Sequence, residues 1–169
     1  MSDSYNVEIL IDGDVLENLL LNEEEQKFLL YWIYSNKTKA VVPKKSWKEF
    51  YKQRKKNCGD NKEVFDSIIA SFRGIVTPYR TKYVDETGAV IPDDEENPDD
   101  DDKDDFTMIT TIINRHYATV KYVIVKDPAP YRTQEPKIKP ERITTLEGFY
   151  KINAVENYES FKKFQEVLE

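Results

Sequence analysis

The sequence predicts an α/β protein in which helices cover both faces of a parallel sheet. Short apolar runs typical of buried strands alternate with segments whose apolar residues recur at helical spacing. Alternation of this kind is typical of parallel sheets with helices on both sides. The chain of 169 residues has the length of one domain, so residues 1–169 are expected to fold as a single domain.

The first part of the chain contains two predicted strands, each followed by a helical pattern. Residues 6–11 form the first predicted strand, and the residues after it show helical spacing. A second helix is predicted over residues 23–34, with three glutamates in its first turn, where the helix dipole favours them. Residues 39–42 form the second predicted strand. Ser46 is then expected to open a helix as the first member of a capping box with Glu49.

In the second part, residues 77–104 interrupt the alternation. Their prolines, their glycine and most of the acidic run PDDEENPDDDDKDD predict an exposed acidic insertion within the domain. The regular pattern is present on both sides of this insertion. The other predicted elements are helices over residues 64–72, 106–117 and 158–168, strands over 120–125 and 142–146, and a proline-rich loop over 126–140.

Composition excludes several classes of protein. No apolar run approaches the ~20 residues that a membrane-spanning helix needs, and the N-terminus shows no signal-peptide pattern. Cys58 is the only cysteine, which excludes an internal disulfide and a zinc cage and suits a reducing compartment. We therefore expect a cytoplasmic protein without a membrane partner.

Charge is distributed unevenly along the chain. The net charge of −7 argues at first against a nucleic-acid partner, but the acidic run carries most of that excess. Residues 37–56 contain nine basic residues and one acid, Glu49, and lysines of this density favour a phosphate-bearing ligand. An aromatic side chain among them can stack on an unpaired base. The alternative is a solvated helix face with its tryptophan in the core. The predicted RNA-binding residues are Lys44, Lys45, Lys48, Lys52 and Trp47.

Four acids are predicted to meet at one rim of the sheet. Asp12 and Asp127 follow predicted strands, whereas Glu49 and Asp105 lie in the first turns of predicted helices. Strand ends and the starts of the helices after them share the carboxyl rim of a parallel sheet. Converging carboxylates repel one another, and a hard divalent cation relieves the repulsion. Two such ions about 4 Å apart can activate water and stabilise the leaving oxygen in phosphodiester cleavage.

Each of these acids also has a structural explanation. Asp12 can make a turn with the glycine after it, and Glu49 can complete the capping box. Asp105 can be an ordinary N-cap, and Asp127 can form a turn before the proline that follows it. Taken singly, each structural explanation is favoured. The prediction of a metal site therefore depends on the order and context of all four acids together.

In that order and context, the motifs resemble the PIN-domain family. ILIDGDVL is similar to the opening strand and first acid, and VVPKKSWKEF to the second strand, the proline and the helix with the glutamate. DDFTMITTII is similar to the third acidic motif, and YVIVKD to the strand that leads to the fourth acid. The resemblance covers residues 6–56 and 104–150.

The resemblance implies a three-layer α/β/α sandwich with a central, mainly parallel sheet. It also implies a metal-dependent endoribonuclease, a toxin or an RNA-processing enzyme, that hydrolyses single-stranded RNA with one or two Mg²⁺ or Mn²⁺ ions. An antitoxin or regulatory protein and a second copy of the chain are implied as partners. The resemblance assigns catalysis to Asp12, Glu49, Asp105 and Asp127, and metal binding to these four and Asp14.

The sequence departs from the family pattern at two positions. Val125 stands where the family often has Thr or Ser, and Asp14 stands where Asn is common. Asp104 competes with Asp105, which is preferred because apolar residues follow it at the family's usual offset. Two other functions stay open. One is a catalytically inactive PIN-like module that binds RNA or protein, which Val125 favours, and the other is an acidic protein that mimics nucleic acid.

Overall fold

The computed structural model describes residues 6–38, 40–79, 87–89, 104–134, 136–154 and 158–168, and it confirms the predicted fold class. One sheet of five parallel strands forms its centre. The strands are β1 (Ile9–Ile11), β2 (Ala40–Val42), β3 (Val76–Pro78), β4 (Tyr122–Ile124) and β5 (Ile143–Thr144). Their order across the sheet is β3-β2-β1-β4-β5, so β1 lies in the middle.

Helices connect the strands and flank the sheet. They are α1 (Gly13–Leu21), α2 (Glu23–Asn36), α3 (Lys44–Cys58), α4 (Lys62–Ile75), α5 (Asp105–His116), α6 (Ala129–Arg132), α7 (Leu146–Ala154) and α8 (Tyr158–Leu168). None of these helices is long and apolar enough to cross a membrane.

The side chains of the central strand divide between two cores. Ile9 and Ile11 point to one face, where they join buried residues from α1 to α4, α7 and α8. Leu10 points to the opposite face, where it packs with Ile109 and Ile112 of α5. Successive residues of a strand point to opposite faces, so a strand buried on both sides is apolar throughout. The result is a three-layer α/β/α sandwich.

Three local features differ from the predictions. The prediction that Ser46 opens α3 is wrong, because the helix begins at Lys44 with Pro43 as its N-cap residue and no capping box forms. Strand β3 and helices α6 and α7 were not predicted, and α6 lies in the range expected to be a proline-rich loop. The range 77–104, expected to be an exposed insertion, begins inside β3 with a buried Thr77, and the acidic run before Asp104 lies outside the described residues.

Candidate metal centre

Three carboxylates converge at the carboxyl rim of the sheet. Asp12, Asp14 and Asp105 each place one oxygen within 4.8 Å of the others. Asp12 follows β1, and its backbone N–H extends the ladder to β4 by donating to the Ile124 carbonyl at 3.0 Å. Asp14 lies in the first turn of α1. Asp105 is the first residue of α5, which leads into β4 and therefore starts at the same rim.

Asp12 is the most buried of the three acids. Only 6% of its surface is exposed, and its Oδ1 has no hydrogen-bond partner among the described residues. Asp12 occupies the N-cap position of α1, yet its side chain makes no capping hydrogen bond. A buried, unpaired carboxylate oxygen is costly unless a partner compensates for the lost hydration. Capping therefore does not explain this side chain, whereas coordination of a cation would.

Two of the carboxylates, Asp12 and Asp105, have raised pKa values. Burial, followed by the charges of Asp105 and Asp14, raises the pKa of Asp12 to about 6, against an opposing effect of the Gly13 and Asp14 amides. Burial and the charges of Asp14 and Glu49 also raise the pKa of Asp105, while Lys45 opposes the rise. Proton uptake is one way to relieve such repulsion, and binding of a divalent cation is the other.

Glu49 faces this cluster from helix α3. It lines a cavity of about 220 Å³ together with Asp14, Ser46 and Asp105. Because a water molecule takes up about 30 Å³ of liquid, the cavity has room for an ion with several waters. Glu49 is exposed and lies outside the group of three converging oxygens. Its position suits an interaction with the ion through water.

The adjacent acids Asp104 and Asp105 have different roles. Asp104 is the N-cap of α5, where its Oδ1 accepts a hydrogen bond from the Thr107 N–H at 2.7 Å. A hydrogen bond from the Thr107 side chain, followed by the one from its backbone N–H, holds the pKa of Asp104 below its usual value. Because Asp104 satisfies the helix end, Asp105 is free to face Asp12 and Asp14. The N-cap explanation thus applies to Asp104, and Asp105 stands in the cluster.

Asp127 is not brought into this group of carboxylates. Its side chain is exposed, and its Oδ1 accepts a hydrogen bond from the Ala129 N–H at 3.4 Å. This bond closes a turn at the start of α6, as the structural explanation of Asp127 requires. Val125, which precedes it, is fully buried in the core that also contains α5.

Helix α3 presents a line of exposed lysines on one of its faces. Lys44, Lys48 and Lys52 are exposed at intervals of four residues, and none of them forms an ion pair with another described residue. Residues at this spacing share one face of a helix. Trp47 is partly buried and stacks on Phe50 with ring centroids 5.8 Å apart, so it contributes to the core. The lysines are therefore the part of α3 that is available to phosphates.

Two residues near the cluster were not predicted as site residues. Ser46 is buried and lines the cavity. Tyr131 is buried next to Phe106, and burial followed by the charge of Asp12 raises the pKa of its hydroxyl. Nothing in the sequence marks Tyr131, because it reaches the rim only through the short helix α6.

The geometry defines a class of site, namely a carboxylate cluster at the carboxyl rim of a parallel α/β sheet. Such rims are where α/β proteins bind their ligands. Carboxylate oxygens are the donors that Mg²⁺ and Mn²⁺ prefer. No protein-family model, curated protein or solved structure matches this chain.

Proposed function

We propose that this protein is a metal-dependent nuclease of the PIN type, which hydrolyses phosphodiester bonds of single-stranded RNA with Mg²⁺ or Mn²⁺. One observation carries the proposal. Three carboxylates converge within 4.8 Å around Asp12, whose buried Oδ1 has no partner in the described part of the chain. This donor set fits a hard divalent cation.

The residues at the carboxyl rim of the sheet are assigned different roles. Asp12, Asp14 and Asp105 would hold the ion, and Glu49 would orient water from the opposite wall of the cavity. When bound, a divalent cation supplies a Lewis acid for the phosphate and lowers the pKa of coordinated water. Burial of Asp12 keeps bulk water from competing for its oxygens. Asp127 lies outside this arrangement, and no role in the reaction is assigned to it.

The lysines of α3 support a phosphate-bearing substrate. Lys44, Lys48 and Lys52 rise along the helix in steps of about 6 Å, which places a row of positive charge on the same helix as Glu49. Lysines bind phosphates mainly by releasing counterions, without regard to sequence. The choice of single-stranded RNA depends on the PIN resemblance. A toxin or RNA-processing role, an antitoxin or regulatory partner and a homodimer have the same basis, whereas the cytoplasmic location is proposed from the lone cysteine.

Cleavage of a labelled single-stranded RNA in Mn²⁺, Mg²⁺ or EDTA tests the proposal. The wild-type protein should cut only with metal, and an Asp12→Asn/Asp105→Asn variant should be inactive. Asp104→Asn is the matched control, because Asp104 neighbours the cluster but caps α5. It should retain activity. Cleavage in EDTA, or by the double variant, would contradict the proposal.

A second candidate is a PIN-like module that binds RNA or protein without cutting. The position of Asp127 favours it, since the cluster contains three convergent acids and not the four that the sequence predicted. This candidate predicts that the wild-type protein binds RNA but leaves it intact with either metal. Metal binding measured by calorimetry would then show whether the cluster has kept its affinity for cations.

A further inference from the structure

Ser46 places a buried hydroxyl beside the carboxylate cluster. Only 4% of the residue is exposed, and its Oγ has no hydrogen-bond partner in the described ranges. Buried hydroxyls are normally bonded, because an unpaired one costs about 1–3 kcal/mol. Ser46 also lines the cavity that Asp14, Glu49 and Asp105 share. An unsatisfied hydroxyl facing such a cavity requires an explanation.

The helix does not provide that explanation. A serine within a helix usually bonds a carbonyl one turn earlier. The carbonyl four residues before Ser46 belongs to Val42, and it accepts a hydrogen bond from the Tyr79 N–H at 2.8 Å instead. Ser46 also has no capping role, because Pro43 is the N-cap residue of α3. The hydroxyl is therefore not part of the secondary structure.

The position of Ser46 relative to Asp12 is fixed by a close contact between helices. A Cβ added to Gly13 would lie 2.8 Å from Ser46 Cβ and 3.0 Å from its Oγ. Gly13 directly follows Asp12, so the start of α3 presses the serine against the chain segment that carries the buried carboxylate. Two polar atoms without a partner in the described ranges, Asp12 Oδ1 and Ser46 Oγ, thus belong to segments that are in close contact at Gly13.

We propose that Ser46 is a positioning residue of the metal centre, whose hydroxyl hydrogen-bonds a water molecule coordinated to the ion. This inference depends on the proposed function, because it needs a cation in the carboxylate cluster. Mg²⁺ and similar ions keep several of their waters in proteins. The cavity of about 220 Å³ accommodates them. Asp12 then ligates the ion, and Ser46 fixes the direction of one water.

The proposal predicts that Ser46→Ala lowers the affinity for Mn²⁺ without lowering the melting temperature. Loss of a hydrogen bond to the coordination sphere should weaken Mn²⁺ binding by about 10- to 100-fold. Without metal, removal of an unsatisfied hydroxyl should leave the melting temperature unchanged or raise it. A purely structural serine predicts the reverse pattern, with a lower melting temperature and unchanged metal affinity.

The experiment titrates Mn²⁺ into wild type, Ser46→Ala and Ser67→Ala by calorimetry and records melting curves in EDTA. Ser67 is exposed on α4, so its variant should match wild type in both measurements. Affinity of Ser46→Ala for RNA in EDTA should also equal that of wild type. If Ser46→Ala binds Mn²⁺ normally, or melts at a lower temperature, the role of Ser46 is refuted while the proposed nuclease stands. If wild type itself binds no Mn²⁺, both proposals fail.

Discussion

Burial of the Asp12 carboxylate is costly for folding, yet the same carboxylate could bind a cation. It continues the central strand through its backbone, yet its carboxylate is buried against other acids. Its pKa of about 6 in the folded protein exceeds the ordinary value of 3.8. A raised pKa means that the folded state binds the proton more tightly than the unfolded state. The contribution of Asp12 to stability is therefore fully present below about pH 3.8 and is lost as the pH rises through 6.

Replacing this one charge should stabilise the metal-free protein. Asp12→Asn is expected to raise the free energy of unfolding at pH 8 by about 1–3 kcal/mol, because the variant cannot ionise. The gain over wild type should shrink towards pH 4, where Asp12 is protonated in the folded state and about half protonated in the unfolded state. Denaturant unfolding in EDTA at pH 8 and at pH 4 measures this gain in the free energy of unfolding. The exposed Asp66→Asn on α4 is the control, and an equal gain at both pH values would contradict the electrostatic cause.

Residue roles at the rim were only partly predictable from the sequence. The strand-end pattern identified Asp12, and the start of a helix identified Asp105, because these positions follow from the alternation of elements. Whether Asp104 or Asp105 caps α5 depends on where the helix begins, which a run of acids does not reveal. Ser46 was assigned to a cap because the true start of α3 lies two residues earlier. Contacts between distant segments decide such details.

At the scale of elements, the site depends on how closely α1 approaches α3. Gly13, the first residue of α1, leaves no room for a side chain against Ser46. An ion pair between Arg54 and Glu17, with nitrogen and oxygen 3.0 Å apart, links the same two helices further along. The carboxylates of α1 and the cavity wall of α3 are thus held at one separation.

Widening this contact should damage the metal centre. Gly13→Ala is expected to destabilise the protein by about 1–3 kcal/mol through overpacking, and to lower its affinity for Mn²⁺. Gly74→Ala on α4 is the matched control, since nothing lies within 4 Å of its added Cβ. It should raise stability by about 0.5–1 kcal/mol, as alanine does within helices. Chemical denaturation and calorimetry provide the two measurements. A Gly13→Ala variant with normal stability would refute the tight contact.

Two of the elements missed from the sequence have identifiable causes. β3 contains only three residues and ends in Pro78, and proline signals a break. It is tolerated here because β3 lies at the edge of the sheet, where one side of the strand needs no partner. Helix α7 begins at Leu146, which the sequence had placed in a strand. Short elements of this kind are determined by packing more than by local pattern.

Across the whole molecule, helix α3 contributes to two groups of opposite charge. Glu49 faces the carboxylates that converge at the rim of the sheet, and the exposed Lys44, Lys48 and Lys52 form a row on the same helix. Some lysines elsewhere pair with acids, as Lys27 does with Glu23 and Lys151 with Glu147. A metal ion would neutralise the carboxylates, and the α3 lysines would then add to the positive field that attracts phosphates.

The α3 lysines should determine how RNA binding depends on salt. Lys48→Gln/Lys52→Gln is expected to reduce the slope of log affinity against log salt by about 1.4, since each phosphate contact to a single strand contributes about 0.7. Fluorescence anisotropy of labelled RNA in EDTA measures this without cleavage. Lys162→Gln/Lys163→Gln removes two exposed lysines of α8 as a control of equal charge. Equal effects in both variants would indicate only a change in net charge.

The two edge strands of the sheet also restrict how copies of this chain could associate. One edge strand is β3, whose last residue is a proline without an N–H to donate. The other is β5, which has only two residues. Neither is a good template for a strand from another molecule. A homodimer would therefore join through helix surfaces, for which Tyr34 of α2 and Val167 of α8 offer exposed apolar area. Short edge strands thus disfavour strand pairing between molecules and protect a sheet rich in apolar side chains from aggregation.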